Sequence, residues 1–157
     1  MRVAVVILGA LIGAVVLFLG LLLAGLRLQL KPVVDFIRRM NRSVTNPRVM
    51  RTAGTAQTPT SVIEHVGRNS GRTHETPVDT IETPTGLLIA LPYGARADWT
   101  RNVLAAGAAT VVTQGERVAV DRPTIVATAD VAGQIPRRTM RMLRLFGVSQ
   151  CLHLEKS

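Results

Sequence analysis

The feature that most constrains this chain is a long apolar stretch at its N-terminus, from Val3 to Leu26. These 24 residues contain no charged residue and no proline. As an α-helix they would extend about 36 Å, more than the roughly 30 Å hydrocarbon core of a bilayer. A secretory signal peptide is the competing interpretation, but its apolar run is usually about 7–15 residues long, and no small-x-small cleavage site follows here. We therefore predict a transmembrane anchor over residues 1–26.

The basic residues around this stretch set the predicted orientation. Arg2 precedes the stretch, whereas five basic residues follow it closely: Arg27, Lys31, Arg38, Arg39 and Arg42. Positive charge favours the cytoplasmic side of a membrane. We therefore predict a single-pass protein of the cell membrane whose C-terminal part is cytoplasmic.

Residues 27–45 are predicted to form a basic amphipathic helix. Val33, Val34, Ile37 and Met40 recur at helical spacing, with the arginines on the other side. Such a helix is suited to the surface of an anionic lipid bilayer. The alternative is that it packs on the domain that follows, and its two faces allow both arrangements.

Residues 46–157 change to a strand-like pattern after Asn46-Pro47. The predicted strands cover residues 48–56, 60–66, 74–83, 87–91, 110–114, 117–121 and 151–154. A helix is predicted over residues 97–106, capped by Asp98 and ended by Gly107, and a second helical region over 129–145 is interrupted near Pro136. Short strands with one inserted helix predict a small α+β barrel. Open edges of so small a barrel could be covered by a second copy, so a homodimer is possible.

The charge of the chain limits its partners. It has 19 Lys and Arg against 10 Asp and Glu, a net charge of +9, which favours anionic ligands and lipid headgroups. Nucleic acid is disfavoured because the chain has few aromatic residues and no long basic run. His65, His74 and His153 lack metal-ligand spacing, so we predict no metal site. Cys151 is the only cysteine, which excludes an intrachain disulfide.

The most informative turn begins at Gly67, between two predicted strands. The sequence Gly-Arg-Asn-Ser-Gly can form a tight turn whose consecutive backbone N–H groups bind an anion. Arg68 and Arg72 add positive charge. The alternative is an ordinary hairpin turn with two solvated arginines. The position of Ser70 excludes a nucleophile elbow, and the absence of a following Lys-Ser/Thr pair excludes a Walker phosphate loop.

Three blocks of sequence resemble the deazaflavin-dependent nitroreductase family. They are Gly67-Arg68-x-Ser70-Gly71 with Thr76-Pro77, then Tyr93-Gly94 after an apolar strand, then Asp98-Trp99-x-Arg101-Asn102-Val103-x-Ala105. The resemblance covers about half of the chain. It implies an FMN-binding-like split β-barrel with an inserted helix, residues 46–157, and a bound coenzyme F420, a deazaflavin with a phosphate and a glutamate tail.

The resemblance also assigns residues to the cofactor. The loop after Gly67 would hold the phosphate and tail, the next strand would run beside the cofactor, and Tyr93 and Trp99 are candidates to cover its ring. The implied cofactor-binding residues are Arg68, Asn69, Ser70, Gly71, Arg72, His74, Thr76, Pro77, Asp79, Leu91, Pro92, Tyr93, Asp98, Trp99, Thr100, Arg101 and Asn102. Many relatives have Lys in place of Asn69 and Arg in place of His74, so a flavin nucleotide, FMN or FAD, is the alternative ligand.

The activity implied by the resemblance is that of an oxidoreductase. Hydride would pass from reduced F420 to an electron-poor small molecule, a quinone or a nitro compound, and the membrane anchor favours a lipid-soluble quinone. The residues identify no catalytic proton donor. Two alternatives therefore stay open: a non-enzymatic barrel that binds a cofactor or lipid at the membrane, and a reductase that uses a flavin nucleotide.

Overall fold

The N-terminal helix is exposed over most of its length. A computed structural model describes residues 2–157, so Met1 of the predicted anchor lies outside the described residues. Helix α1 covers Arg2–Arg27 and is long and apolar enough to cross a membrane. None of its most apolar 18-residue window is buried in the protein. A core helix of a soluble domain would be mostly buried, so α1 does not have that role here.

A second helical segment follows α1 and extends further than expected. It consists of α2 (Lys31–Met40), a π-helical turn (Asn41–Thr45) and α3 (Asn46–Val49). The prediction of a strand over residues 48–56 is wrong, because α3 and turns occupy this stretch. Pro47 has no N–H to donate to a regular helical hydrogen bond. The preceding π turn accommodates the proline, and in this turn the Asn46 N–H is bonded to the Asn41 carbonyl. The proline therefore does not end the helical segment.

Six strands form a closed antiparallel barrel in the order β1-β2-β3-β6-β5-β4. The bounds are β1 Thr60–Val66, β2 Thr73–Thr83, β3 Gly86–Ala90, β4 Ala108–Thr113, β5 Glu116–Ala127 and β6 Gln150–Lys156. The predicted small barrel is confirmed. Because the order closes, the described strands present no open edge, and the edge argument for a homodimer does not apply.

Alternation along the strands divides the apolar residues between two cores. Ile63, Leu87, Ile89 and Leu152 are almost fully buried inside the barrel with Val103 of helix α4. Leu88 of β3 points to the opposite face and packs in a second cluster with residues of helix α5. This explains why β3 is apolar at consecutive positions, since both of its faces are covered.

Two helices are inserted between the strands. Helix α4 covers Asp98–Ala106 and ends at Gly107, which has a φ of 72°, as predicted. Ala97 occupies the N-cap position and Asp98 is the first helical residue, so the predicted Asp98 cap is wrong. The region 129–145 forms a 3₁₀ turn (Ala132–Gln134) and helix α5 (Arg137–Leu145), separated near Pro136.

The end of α1 is joined tightly to the barrel. Arg27 donates to the Arg144 carbonyl at 3.4 Å, and Gln29 donates to the Pro92 carbonyl at 3.4 Å. Gly147, with a φ of 68°, lies so close to Arg27 that a Cβ would be 3.0 Å from the Arg27 Cα and carbonyl oxygen. The junction between the apolar helix and the barrel is therefore a packed contact rather than a free linker.

Candidate functional site

The loop between β1 and β2, residues 67–72, uses its own backbone donors. The N–H of Gly67 bonds to the Arg72 carbonyl at 2.8 Å, and those of Ser70 and Gly71 bond to the Gly67 carbonyl at 3.2 and 2.7 Å. The Arg72 N–H donates to Ser70 Oγ at 3.4 Å. The expectation of several free, consecutive N–H groups is therefore wrong, because the turn closes on itself. An anion at this loop would be held by side chains.

Arg68 joins this loop to the start of α4. Its backbone N–H and Nη1 donate to Asn102 Oδ1 at 3.2 and 2.8 Å. Its guanidinium also donates to the Asp98 carbonyl and to Asp98 Oδ1, each at 3.4 Å. The structure thus brings together the first and third sequence blocks, although Arg68 and Asn102 are 34 residues apart in the sequence.

A polar network continues inward from Asn102. Because Asn102 Oδ1 accepts from Arg68, its amide NH₂ faces His65 and donates to Nδ1 at 3.2 Å. His65 must therefore be the neutral tautomer that carries its proton on Nε2, which lies 3.2 Å from Thr76 Oγ1. Burial, followed by the nearby His74, lowers the pKa of His65 to about 4. His65 is accordingly neutral at pH 7.

Gly67 permits the close packing of the loop against β2. A Cβ at this position would be 2.5 Å from Ser70 Oγ and 2.9 Å from His74 Nε2. Ser70 Oγ and His74 Nε2 are 3.5 Å apart, and the His74 ring centroid is 5.8 Å from that of His65. The predicted residues Ser70 and His74 therefore lie together, above the network that His65 forms.

Two guanidinium groups converge on one carboxylate at the start of α4. Asp98 Oδ1 accepts from Arg101 at 2.7 Å and from Arg68 at 3.4 Å. The hydrogen bond from Arg101 is the largest cause that lowers the pKa of Asp98, and Arg68 adds to it. Asp98 is exposed, with 63% of its side chain accessible. An anionic ligand that binds these two arginines would compete with the Asp98 carboxylate. Because Asp98 is exposed, its side chain has room to turn toward solvent.

The middle sequence block lies against the N-terminal helical segment. Leu91 is buried in the barrel core, and Tyr93 follows in the turn after β3. The Tyr93 hydroxyl is hydrogen bonded to the Asn41 amide, and burial is the largest cause that raises the pKa of Tyr93. The structure therefore joins Pro92 and Tyr93 to Gln29 and Asn41 rather than to the β1–β2 loop.

The remaining predicted residues have ordinary structural environments. Trp99 is half-buried and packs against the barrel core. Thr100 is fully buried, and its hydroxyl lacks a hydrogen-bond partner within residues 2–157. Asp79 is exposed and accepts from the Thr60 hydroxyl at 3.2 Å. Asn69 is exposed in the loop, and Pro77 is half-buried on β2. Within residues 2–157, none of these side chains is hydrogen bonded to Arg68, Asn102 or His65.

Two residues of this arrangement were not predicted from the sequence. His65 forms the centre of the network, and Asn41 holds Tyr93. The alternation of β1 contains a signal for His65, because Ser61 and Ile63 share its buried face. Nothing in the local sequence around Asn41 indicates its contact. Within residues 2–157, no three His, Cys, Asp or Glu side chains are placed to hold a metal ion.

Comparisons with known proteins give similarity of fold only. No protein-family model and no curated protein matches the chain. The heme storage protein HutZ from Vibrio cholerae aligns at 11% identity over 71% of this chain and 89% of its own, with a TM-score of 0.48. An F420-H2 dependent reductase, FDR-A, aligns at 13% identity over 62% of this chain and 94% of its own, with a TM-score of 0.41.

A third structure, Atu2129 of unknown function from Agrobacterium tumefaciens, aligns at 15% identity with a TM-score of 0.46. The alignment covers 69% of this chain and 53% of Atu2129, so this chain matches about half of that protein's length. All three alignments have low identity and TM-scores below 0.5. They do not select a ligand or an activity for this chain.

Proposed function

We propose that this protein is a membrane-anchored oxidoreductase whose barrel binds coenzyme F420 and directs hydride transfer to a quinone or nitro-type acceptor. One observation carries the proposal. The loop after Gly67 and the start of α4, the first and third blocks of the sequence resemblance, meet through Arg68, Asn102 and Asp98. A binding wall made of these two blocks is the arrangement that the proposal requires.

The charges at this wall suit an anionic tail. Arg68, Arg72 and Arg101 outnumber the single carboxylate of Asp98. Arg72 is exposed, and its guanidinium has no ion-pair partner within the part of the chain that the structure describes. The backbone N–H groups of the loop contribute little, since most already have acceptors. The residues present therefore fit a phosphate or carboxylate held by guanidinium groups.

The protein's own part in the reaction would be binding and orientation. When bound, the reduced deazaflavin supplies a hydride to an electron-poor acceptor. Arg72, Arg101 and the Ser70 hydroxyl would hold the anionic tail after Asp98 swings out. His65 would keep Asn102 and Arg68 in place, and it would add no charge at pH 7 because its pKa is about 4. Trp99 would cover one side of the ring.

The N-terminal part supports the proposed location in a membrane. Helix α1 would span the bilayer. On the following segment Phe36, Met40 and Val44 are exposed apolar residues, while Arg39 and Arg42 are exposed cations. An apolar face bordered by arginines is typical of a helix at the interface of an anionic bilayer. A lipid-soluble acceptor would reach the barrel from this side.

The proposal is tested with the full chain in detergent. F420 fluorescence measures binding, and oxidation of reduced F420 in the presence of menadione measures turnover. We expect Arg72→Gln to weaken F420 binding about tenfold, because it removes a charge-assisted contact. Arg51→Gln is the matched control, since Arg51 is also exposed and its guanidinium also has no ion-pair partner among residues 2–157.

Three results would contradict the proposal. The first is a folded chain that neither binds F420 nor oxidises its reduced form. The second is preferential binding of FMN or FAD, which would assign the site to a flavin nucleotide. The third is an equal loss of F420 binding in both variants, which would show that the loss follows from the lower net charge of the protein and not from a contact at the site.

A second candidate function is a non-enzymatic barrel that binds a cofactor or lipid. This function is favoured because side chains that would bind a ligand are already hydrogen bonded within the protein. Arg68 is bonded to Asn102 and Asp98, and the Tyr93 hydroxyl is bonded to Asn41. Tight F420 binding without turnover over a panel of quinones and nitro compounds would support this function over the enzymatic one.

A further inference from the structure

Helix α5 carries an unusual concentration of positive charge. From Val131 to Gln150 the sequence contains four arginines and no acidic residue. Arg137, Arg141 and Arg144, which we call the arginine face, are spaced by four and three residues, so they share one side of the helix. Met140 and Leu143, on the side of the helix toward the barrel, belong to the core cluster beneath it.

The arginine face borders a cavity with an apolar floor. The cavity has a volume of about 370 Å³ and is lined by Ala132, Ile135, Arg137, Met140, Arg141 and Arg144. Leu145 adjoins the arginine face on the helix surface, and its side chain is 45% exposed. This combination of guanidinium groups and apolar surface matches a ligand that is anionic at one end and apolar at the other.

Within residues 2–157, the charges of this face have no ion-pair partners. Seven ion pairs join described residues elsewhere in the chain, and none involves an arginine of α5. Arg137 and Arg138 lie in the first turn, where the helix dipole disfavours cations, and this turn has no acidic residue. Their positions therefore oppose helix stability unless an external anion is bound.

The end of α5 lies against the end of α1. Arg27, the last residue of α1, donates to the Arg144 carbonyl, and Gly147 packs on the Arg27 backbone. A helix that spans a bilayer emerges at the level of the lipid headgroups near such a terminal arginine. The arginine face is therefore held close to the headgroup layer on the side where α1 ends.

We propose that the arginine face of α5 binds the headgroup of an anionic phospholipid from the bilayer that α1 spans. The headgroup phosphate would lie between Arg141 and Arg144, and the start of the acyl chains would lie along Leu145. The inference rests on the membrane anchorage proposed above and is independent of the cofactor. It gives the lipid a defined site in addition to the general attraction of a basic surface.

The test uses the full chain in nanodiscs of phosphatidylcholine and phosphatidylglycerol in equal amounts. Native mass spectrometry of the released protein counts the lipids that remain bound. We expect retained phosphatidylglycerol to exceed phosphatidylcholine, and we expect Arg141→Gln with Arg144→Gln to weaken its binding about 30-fold. Arg51→Gln with Arg72→Gln is the matched control, because it removes two exposed arginines outside α5 that also have no ion-pair partner among residues 2–157.

The outcomes separate this inference from the anchorage and from a soluble ligand. Loss of phosphatidylglycerol in the α5 variant alone supports the inference. Equal loss in both variants, or equal retention of the two lipids by the unmodified chain, overturns it while leaving the anchorage intact. Full displacement of the lipid by millimolar glycerol phosphate overturns it in favour of a soluble phosphate ligand. Failure of the chain to enter nanodiscs overturns the anchorage itself.

Discussion

Lowering the pH from 7 to 5 should destabilise the barrel through His65. In the folded chain the pKa of His65 is about 4, and in the unfolded chain it returns to 6.5, its ordinary value. Protonation would place an N–H on Nδ1, facing the NH₂ group of Asn102 that now donates to it. Between these two pKa values the unfolded chain binds a proton that the folded chain does not bind. The stability present above about pH 6.5 is therefore lost as the pH falls toward 4.

The two pKa values set the size of the effect. A difference of about 2.5 units corresponds to about 3 kcal/mol when the loss is complete. At pH 5 the loss in the free energy of unfolding is about 2 kcal/mol. For a chain of this length, that lowers the melting temperature by about 4–8 °C. Other groups titrate in the same window, so the effect of His65 must be isolated by comparison with a variant.

Thermal unfolding of the full chain in detergent, followed by Trp99 fluorescence at pH 7 and pH 5, measures the loss. His65→Gln replaces the imidazole with a side chain that can accept from Asn102 and donate to Thr76 without titrating. We expect its drop in melting temperature to be smaller than that of the unmodified chain by the amount calculated above. His153→Gln removes a histidine elsewhere and should retain the full drop. An equal drop in all three proteins, or a His65 pKa near 6.5 by NMR, would refute the reasoning.

Three further perturbations test other parts of the structure. Asn102→Asp gives His65 Nδ1 an acceptor in place of a donor, so the pKa of His65 should rise by at least about one unit in an NMR titration. Asp98→Asn removes the carboxylate that competes for two guanidinium groups, so F420 fluorescence titrations should show about threefold tighter binding, and weaker binding would contradict the proposed anion site. Gly86→Ala would place a Cβ 1.9 Å from the Leu154 carbonyl oxygen at a φ of 154°. The substitution should lower the free energy of unfolding in urea by at least about 3 kcal/mol. An unchanged free energy would contradict the close approach of β3 to β6 at Gly86.

The barrel was predictable because its strands carry a local signal. The alternation of Thr60 to Val66 and the continuous apolar run of β3 each identify a strand, and the turns between them contain Gly or Pro. The predicted strand over residues 48–56 failed for a specific reason. Pro47 is normally a mark of a helix boundary, but here a π turn accommodates it, and that depends on how the segment packs rather than on its composition.

The candidate site was only partly predictable. The resemblance assigned residues of the β1–β2 loop and of α4 to the same site. Their contact in the structure agrees with that assignment. Their hydrogen bonds could not be deduced, because Arg68 and Asn102 are distant in sequence and meet only when α4 packs against β1. A turn rich in Gly, Asn and Ser can present its N–H groups outward or use them internally. Only the fold decides between these, and here the Gly67 and Arg72 backbones are bonded to each other.

The packed junction between α1 and the barrel has a consequence for how the protein would meet molecules within a membrane. A domain on a long flexible linker turns freely and presents each of its faces to the bilayer in turn. Here Gly147 and the Arg27 backbone are in contact, and Gln29 is bonded to the loop after β3, so these contacts oppose rotation about the junction. A barrel held this way would diffuse in two dimensions with one side always facing the lipid. Only a molecule arriving at that side would meet it in a productive orientation, and the rate of encounter would depend on the lateral mobility of the membrane.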